Sequence, residues 1–231
     1  MSQTRRKYHV LITAGPTREP IDPVRFISNH STGTLGYALA TIAKARGHRV
    51  TLITGPTELK SPKGVKRVDV ETASEMEQSV VRCFPSADAL IMSAAVADFR
   101  PIRVATRKIK RSGVSGSLRL WQLELVENPD IVAKAASQRK GTQVVVGFAL
   151  ETERLLANAK NKLKSKNLDA IVATQLSLKG KGRGPFGMAP VDGAILDGKG
   201  HVKTFRALPK RALANRILDT VEALLSSRAT E

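Results

Sequence analysis

Short blocks of consecutive apolar residues alternate with stretches in which apolar residues recur every three or four positions. The blocks, bounded by Gly, Pro and polar turns, predict strands at 8–13, 49–54, 66–70, 88–93, 143–148 and 169–173. The helical spacing predicts helices over about 34–46, 73–84, 153–166 and 210–226. The first puts Leu35, Leu39 and Ile42 on one face and stops at Gly47, and the second carries Met76, Val80 and Cys83 and stops at Pro85. The third turns Leu155, Leu156, Ala159 and Leu163 inward, and the last Leu213, Ile217, Val221, Leu224 and Leu225. Strands alternating with helices predict an α/β fold, Rossmann-like, with a mostly parallel sheet flanked by helices.

Two stretches break this alternation. Residues 117–126 read as an extended strand whose apolar phase slips near Trp121, with a basic run before it; together they suggest a protruding strand and loop arm. Residues 193–205 read as a C-terminal hairpin turning at Asp197-Gly198. Between the last parallel strand and that hairpin, 176–192 is rich in Gly, Lys and Arg and reads as a flexible loop. No internal repeat or domain boundary is visible, so residues 1–231 are expected to form a single domain.

Composition narrows the function. The chain is 42% hydrophobic but only 4% aromatic, so its core should be aliphatic and Ala-rich. No run approaches the roughly 20 apolar residues of a membrane span, and the basic N-terminus leads into a strand rather than a signal sequence. The single cysteine, Cys83, lies on a core-facing helical position and excludes an internal disulfide, and the four histidines lack zinc-site spacing. A reducing cytoplasm is the expected location, with no membrane association. The 38 Lys+Arg against 20 Asp+Glu, a formal +18, raise nucleic acid as a partner. Few aromatics are present for base stacking and no nucleic-acid motif appears, so a site for small polyanions, or a merely solvated basic surface, is preferred.

The candidate chemistry begins at residues 12–36. A short apolar strand runs into a long polar turn ending at Ser31-Thr32-Gly33, ahead of an amphipathic helix. This order presents backbone N–H groups to phosphate. The turn is too long for a dinucleotide fingerprint: Gly15, Gly33 and Gly36 do not make G-x-G-x-x-G, and the P-loop pattern is absent. An NAD(P)-dependent reductase remains an alternative, weakened by that absence, and a non-catalytic nucleic-acid-binding protein is another.

The segment ITAGPTREPIDPVRFISNHSTG resembles the opening of the phosphopantothenoylcysteine synthetase family. Five further segments agree in order: Ser93-Ala-Ala-Val-Ala-Asp-Phe-Arg-Pro101, Lys108-Ile-Lys-Arg111, Glu127-Asn-Pro-Asp-Ile-Val132, Val146-Gly-Phe-Ala149 and Lys162 to Asp169. The resemblance implies a ligase of coenzyme A biosynthesis joining 4′-phosphopantothenate to L-cysteine. It also implies CTP as co-substrate, an acyl-cytidylate intermediate, Mg2+ carried by the nucleotide phosphates, and a homodimer paired through the arm. In many bacteria this ligase is fused behind a flavin-dependent decarboxylase; no such half precedes Tyr8 here, so no FMN is expected.

Each candidate residue has a plainer use as well. Asn29 can make an Asx turn or cap a helix; as an amide donor it can also meet a developing oxyanion, and the resemblance implies this catalytic role. Ser31, with Thr32, can cap the first helix and still face phosphate. Asp98 follows a parallel strand at its carboxyl end, where α/β ligands bind, and the resemblance assigns it, with Ala94, to the nucleotide, with a bound metal possible at Asp98. Lys108 lies among five basic residues in nine, 103–111; a solvated charged loop is the ordinary reading, and the resemblance implies a clamp on triphosphate. Asn128, Pro129, Asp130 and Ile131 look like helix-start chemistry and are implied nucleotide contacts. Phe148 ends a strand, and Lys162 and Lys166 share a helix face; core and solvated helix are their plain uses, and nucleotide binding the implied one.

The resemblance fades after residue 173. The strand exits as Ala173-Thr174-Gln175 where relatives read Ala-Asn-Asp, only Phe186-Gly187 survives of the later loop, and Thr34 stands where relatives often carry Lys.

Overall fold

The computed structural model describes residues 6–110, 121–176 and 186–230. The chain opens with β1 (His9–Ala14), two short strands β2 (Arg18–Pro20) and β3 (Phe26–Ser28), helix α1 (Thr34–Ala45), β4 (Arg49–Thr54) and β5 (Lys66–Asp69). Helix α2 (Ala73–Cys83) leads to β6 (Ala89–Met92), β7 (Phe99–Pro101), β8 (Leu125–Glu127) and α3 (Ile131–Gln138). Then come β9 (Val144–Glu151), α4 (Leu155–Ser165), β10 (Ala170–Gln175), β11 (Val191–Asp197), β12 (Val202–Leu208) and α5 (Lys210–Arg228).

Among the described residues an eight-stranded sheet runs in the order β12-β11-β10-β9-β6-β1-β4-β5. The six strands from β5 to β10 are parallel, and the hairpin β11–β12 adds antiparallel to β10. Strand order reverses at β1, whose neighbours are β4 on one side and β6 on the other, and this is the place where open α/β sheets bind ligands. All six residues of β1 are buried, because helices cover both faces. Val10, Ile12 and Ala14 face the layer of α1 and α5, while Leu11 faces that of α2, α3 and α4. Fully burying Leu11 or Ile12 contributes about 1.5–3 kcal/mol each.

Helix α1 lies unusually close over the sheet. A Cβ at Gly36 would stand 2.5 Å from Ala14 Cβ and 2.9 Å from Ser93 Oγ, so glycine is what admits the helix to the β1–β6 seam. The closeness sets the N-terminus of α1 beside the carboxyl ends of these strands.

The helices and long strands match the periodicity, with four differences. Leu156, expected inward, is exposed, because α4 buries only a narrow stripe centred on Ala159. Within 117–126 the strand is confined to Leu125–Glu127, which pairs with β7 in a separate two-stranded sheet; 117–120 lie outside the described residues. A second small sheet, β2 with β3, sits beside β7 and was not foreseen in so polar a turn. The C-terminal hairpin is longer than 193–205, and Asp197 fixes its turn by accepting from the backbone of Lys199 and His201. Most of the expected loop at 176–192 also lies outside the described residues, and its last two residues begin β11. Cys83 is half-buried against the α2 side of the core, as its helical position implied.

Candidate functional site

Two loops leaving adjacent parallel strands build the site. After β6 the backbone of 93–98 is zipped to the turn after β1. Ala95 N donates to Gly15 O (2.9 Å) and Thr17 N to Ala95 O (3.2 Å). Two buried threonines add side-chain acceptors: Thr13 Oγ1 receives Ala94 N (3.1 Å) and Thr17 Oγ1 receives Ala97 N (2.9 Å). From the other side Asn128 N donates to Asp98 O (2.7 Å) and Asn128 Nδ2 to Ala97 O (2.9 Å). Arg100 then holds Asn128, its Nη1 donating to Asn128 Oδ1 (2.9 Å) and to Glu127 O (2.8 Å). The loop therefore has its backbone groups anchored by hydrogen bonds from both sides.

Asn29 reaches across to this loop from the segment after β3. Its Nδ2 donates to Ala95 O (3.2 Å) and Val96 O (3.1 Å), so it neither caps a helix nor closes an Asx turn. Both amide hydrogens are engaged, which fixes the orientation of the amide; among the described residues Oδ1 accepts no hydrogen bond. Ser31 and Thr32 do not cap α1 either. The N-cap is Gly33 at φ +76°, with no side-chain cap; Ser31 Oγ accepts from Gly33 N (3.3 Å) and Thr32 pairs with Thr34. Among the described residues no side chain caps the first N–H groups of α1.

These loops wall a cavity of about 860 Å3. Of the expected site residues, Asn29, Ala94, Asp98, Asn128, Pro129, Asp130, Ile131, Phe148, Lys162 and Lys166 line it together. Ser31 and Lys108 do not. Ser31 stands at the start of α1, and Lys108 is exposed on the loop after β7. That loop is pinned from below: the buried Asp22 accepts from Ile109 N (3.0 Å), Val24 N (2.8 Å) and Arg25 N (2.9 Å), and Arg25 also donates to Ile109 O. Burial alone would raise the Asp22 pKa, but these hydrogen bonds hold it well below the usual carboxylate range.

The lysines of the cavity carry partners. Lys162 Nζ is 2.7 Å from Glu151 Oε1, and Lys166 Nζ is 2.8 Å from Asp130 Oδ2. Asp130 Oδ1 meanwhile caps α3 by accepting from Ala133 N (3.1 Å). Burial pushes the Glu151 pKa up, but hydrogen bonds from Lys162 and Asn158 and the lysine charge bring it net below its ordinary value. Both lysine ammonium groups are thus paired with carboxylates at the cavity wall.

The motif reading did not single out Thr13, Thr17, Arg100, His30, Glu151 or Phe186 for the site. His30 and Phe186 line the cavity with ring centroids 5.8 Å apart, and the others act by holding lining residues. Thr13, Thr17, His30 and Arg100 carried a signal, their position inside the quoted motifs, whereas Glu151 and Phe186 lie outside them. Among the described residues no three His, Cys, Asp or Glu side chains gather as a metal site, and no helix is long and apolar enough to cross a membrane.

The chain is similar to proteins of coenzyme A biosynthesis. The coenzyme A biosynthesis bifunctional protein CoaBC of Vibrio cholerae is 48% identical over 173 residues, 75% of this chain and 43% of that protein. CoaBC of Bacillus subtilis is 42% identical over 217 residues, 94% of this chain and 51% of that protein. The chain therefore spans about half the length of these curated relatives. A crystal structure of the C-terminal domain of CoaBC superposes with a TM-score of 0.79 at 33% identity, covering 98% of this chain and all of that one. The family described as DNA/pantothenate metabolism flavoprotein C-terminal domain matches residues 5–225, and the chain belongs to that family.

Proposed function

We propose that this chain is a phosphopantothenate–cysteine ligase: it joins 4′-phosphopantothenate to L-cysteine with CTP, through an acyl-cytidylate. The carrying observation is the convergence of Asn29, the 94–98 loop, Phe148, Lys162 and Lys166 on one cavity at the strand-order reversal. Family membership and the CoaBC relatives support the reading, and five of the six motifs contribute residues to the cavity lining.

In the first half, a substrate carboxylate oxygen attacks the α-phosphorus of CTP and pyrophosphate leaves. Lys162 and Lys166 exchange Glu151 and Asp130 for phosphate oxygens, and Lys108 reaches the outer phosphates from its pinned loop. A magnesium ion would be held by the phosphates with help from the exposed Asp98 carboxylate, and would neutralise the phosphate charge. In the second half, the cysteine amine attacks the acyl carbon and CMP leaves. One Asn29 N–H exchanges a carbonyl acceptor for the oxyanion, trading a neutral hydrogen bond for a stronger charge-assisted one. Neither half changes an oxidation state, so the ligation needs no FMN.

The active unit is a homodimer. Val24, Phe26, Phe99, Ile102, Val104 and Trp121 are exposed on or beside the two small sheets, an apolar face that a second copy would cover. Light scattering that finds only monomer at micromolar concentration overturns the dimer. For the reaction, pyrophosphate release is assayed with phosphopantothenate and each of CTP, ATP, GTP and UTP. CTP should turn over fastest; no release with any of them rejects the ligase, and faster release with ATP rejects the nucleotide assignment.

A further inference from the structure

Lys210 breaks local rules. It is the first residue of α5, a helix with no side-chain N-cap and no acidic residue in its first turn. A cation there opposes the helix dipole, and a lysine bears a large ordering cost when half-buried. Burial lowers the pKa of its ammonium group. Its Nζ donates to a neutral carbonyl, Gly187 O, at 2.6 Å. Gly187 has φ +64°, a left-handed turn that glycine adopts without strain. The preceding residue, Phe186, stands against His30 at 5.8 Å with the rings tilted 52°, and His30 follows Asn29. Residues that violate local preference without local compensation concentrate at functional sites.

We infer that Lys210 is a positioning residue: through Gly187 it holds Phe186 against His30 where the cavity wall opens beside Asn29, and this ring pair keeps water from the reacting acyl group. The helix α5 thereby anchors a part of the site that none of the six motifs contains. The second half of the inference rests on the ligase reading; the first does not. The reaction prevented is hydrolysis of the acyl-cytidylate. Water would add to the acyl carbon, the bond from that carbon to the CMP oxygen would break, and free phosphopantothenate, CMP and a proton would result. Each such event spends one CTP without forming amide.

The test has a spectroscopic arm and a chemical arm. With only four histidines in the chain, ring-proton NMR signals are resolvable, and His30→Asn assigns the one that matters. Phe186→Leu removes the ring current on His30 and shifts its signal. Lys210→Met should shift the His30 signal in the same sense and leave those of His9 and His48 in place, while Lys210→Arg, which keeps a donor, should restore it. A His30 signal unmoved in Lys210→Met overturns the positioning role, whatever the enzyme does. In the chemical arm, pyrophosphate and cysteine adduct are counted together. Wild type should stay near one to one, and Lys210→Met and Phe186→Leu should each release about twofold or more excess pyrophosphate, their double variant leaking no more than either. Tight coupling in Phe186→Leu, or leaks that add in the double variant, overturns the shielding role. Phe186→Leu leaves α5 untouched, so that arm stands even if Lys210→Met does not fold. A wild type that releases no pyrophosphate rejects the ligase reading and leaves the NMR result on Lys210 intact.

Discussion

Thr17→Val isolates one acceptor in the frame of the site. Thr17 is fully buried, and its Oγ1 receives the N–H of Ala97, itself buried and adjacent to Asp98. Valine has nearly the same shape, so packing is retained and only the acceptor is lost. If the loop stays in place, the Ala97 N–H is buried without a partner, at a cost of about 1–3 kcal/mol. If the loop relaxes until that N–H finds water, the protein regains part of the cost, and nucleotide binding must then restore the original backbone against the same free energy. The loss of stability and the loss of nucleotide affinity should therefore sum to about 1–3 kcal/mol, equivalent to roughly 5- to 150-fold in affinity if all of it falls there. Urea unfolding followed by circular dichroism gives the first term and the KM for CTP the second. Thr17→Ser keeps the hydroxyl and loses one methyl group, so it should cost about 1 kcal/mol of stability and leave KM alone. Thr17→Val that loses under about 0.5 kcal/mol of stability with KM within about twofold of wild type refutes the idea that this bond sets the loop.

Three other outcomes are expected. Asn29→Ala should still release pyrophosphate from CTP and phosphopantothenate but form adduct roughly 100- to 1000-fold more slowly, measured by separate product assays; wild-type adduct formation removes Asn29 from the second half-reaction. Glu151→Gln keeps an acceptor for Asn158 yet frees Lys162, so the KM for CTP should fall, by up to about fivefold for a pair this exposed, whereas Lys162→Gln should raise it; equal directions in the two variants contradict the exchange of partners. His9 is buried between Ser86 O and Thr51 Oγ1, and burial lowers its pKa from 6.5, partly opposed by the Ser86 bond. The unfolded chain then binds the proton more tightly, so stability is full above about pH 6.5 and declines as pH falls from there toward the depressed folded value; His9→Gln should flatten this slope in unfolding measured from pH 7 downward.

The sequence by itself determined the helices and the long strands, and its motifs named candidate site residues. Short apolar blocks and the 3.6-residue period record which positions are buried, and burial here follows each strand and helix locally; β1 and α1 were legible for that reason. Leu156 misled because a helical stripe does not state its own width. The motifs named ten residues that share one cavity, since residues at the carboxyl ends of parallel strands must converge. What each polar side chain bonds to was decided only by the tertiary structure. Asn29 meets carbonyls 66 residues away, Lys162 and Lys166 meet Glu151 and Asp130, Lys108 rides on a loop pinned by Asp22, and Lys210 reaches Gly187. A hydrogen bond or ion pair requires approach to about 3 Å, and that approach depends on crossovers and on helix-to-sheet distances such as the one Gly36 admits. No local pattern of apolar and polar residues encodes such distances, so the sequence could state which groups the site contains, and the fold alone decided which of them are already engaged.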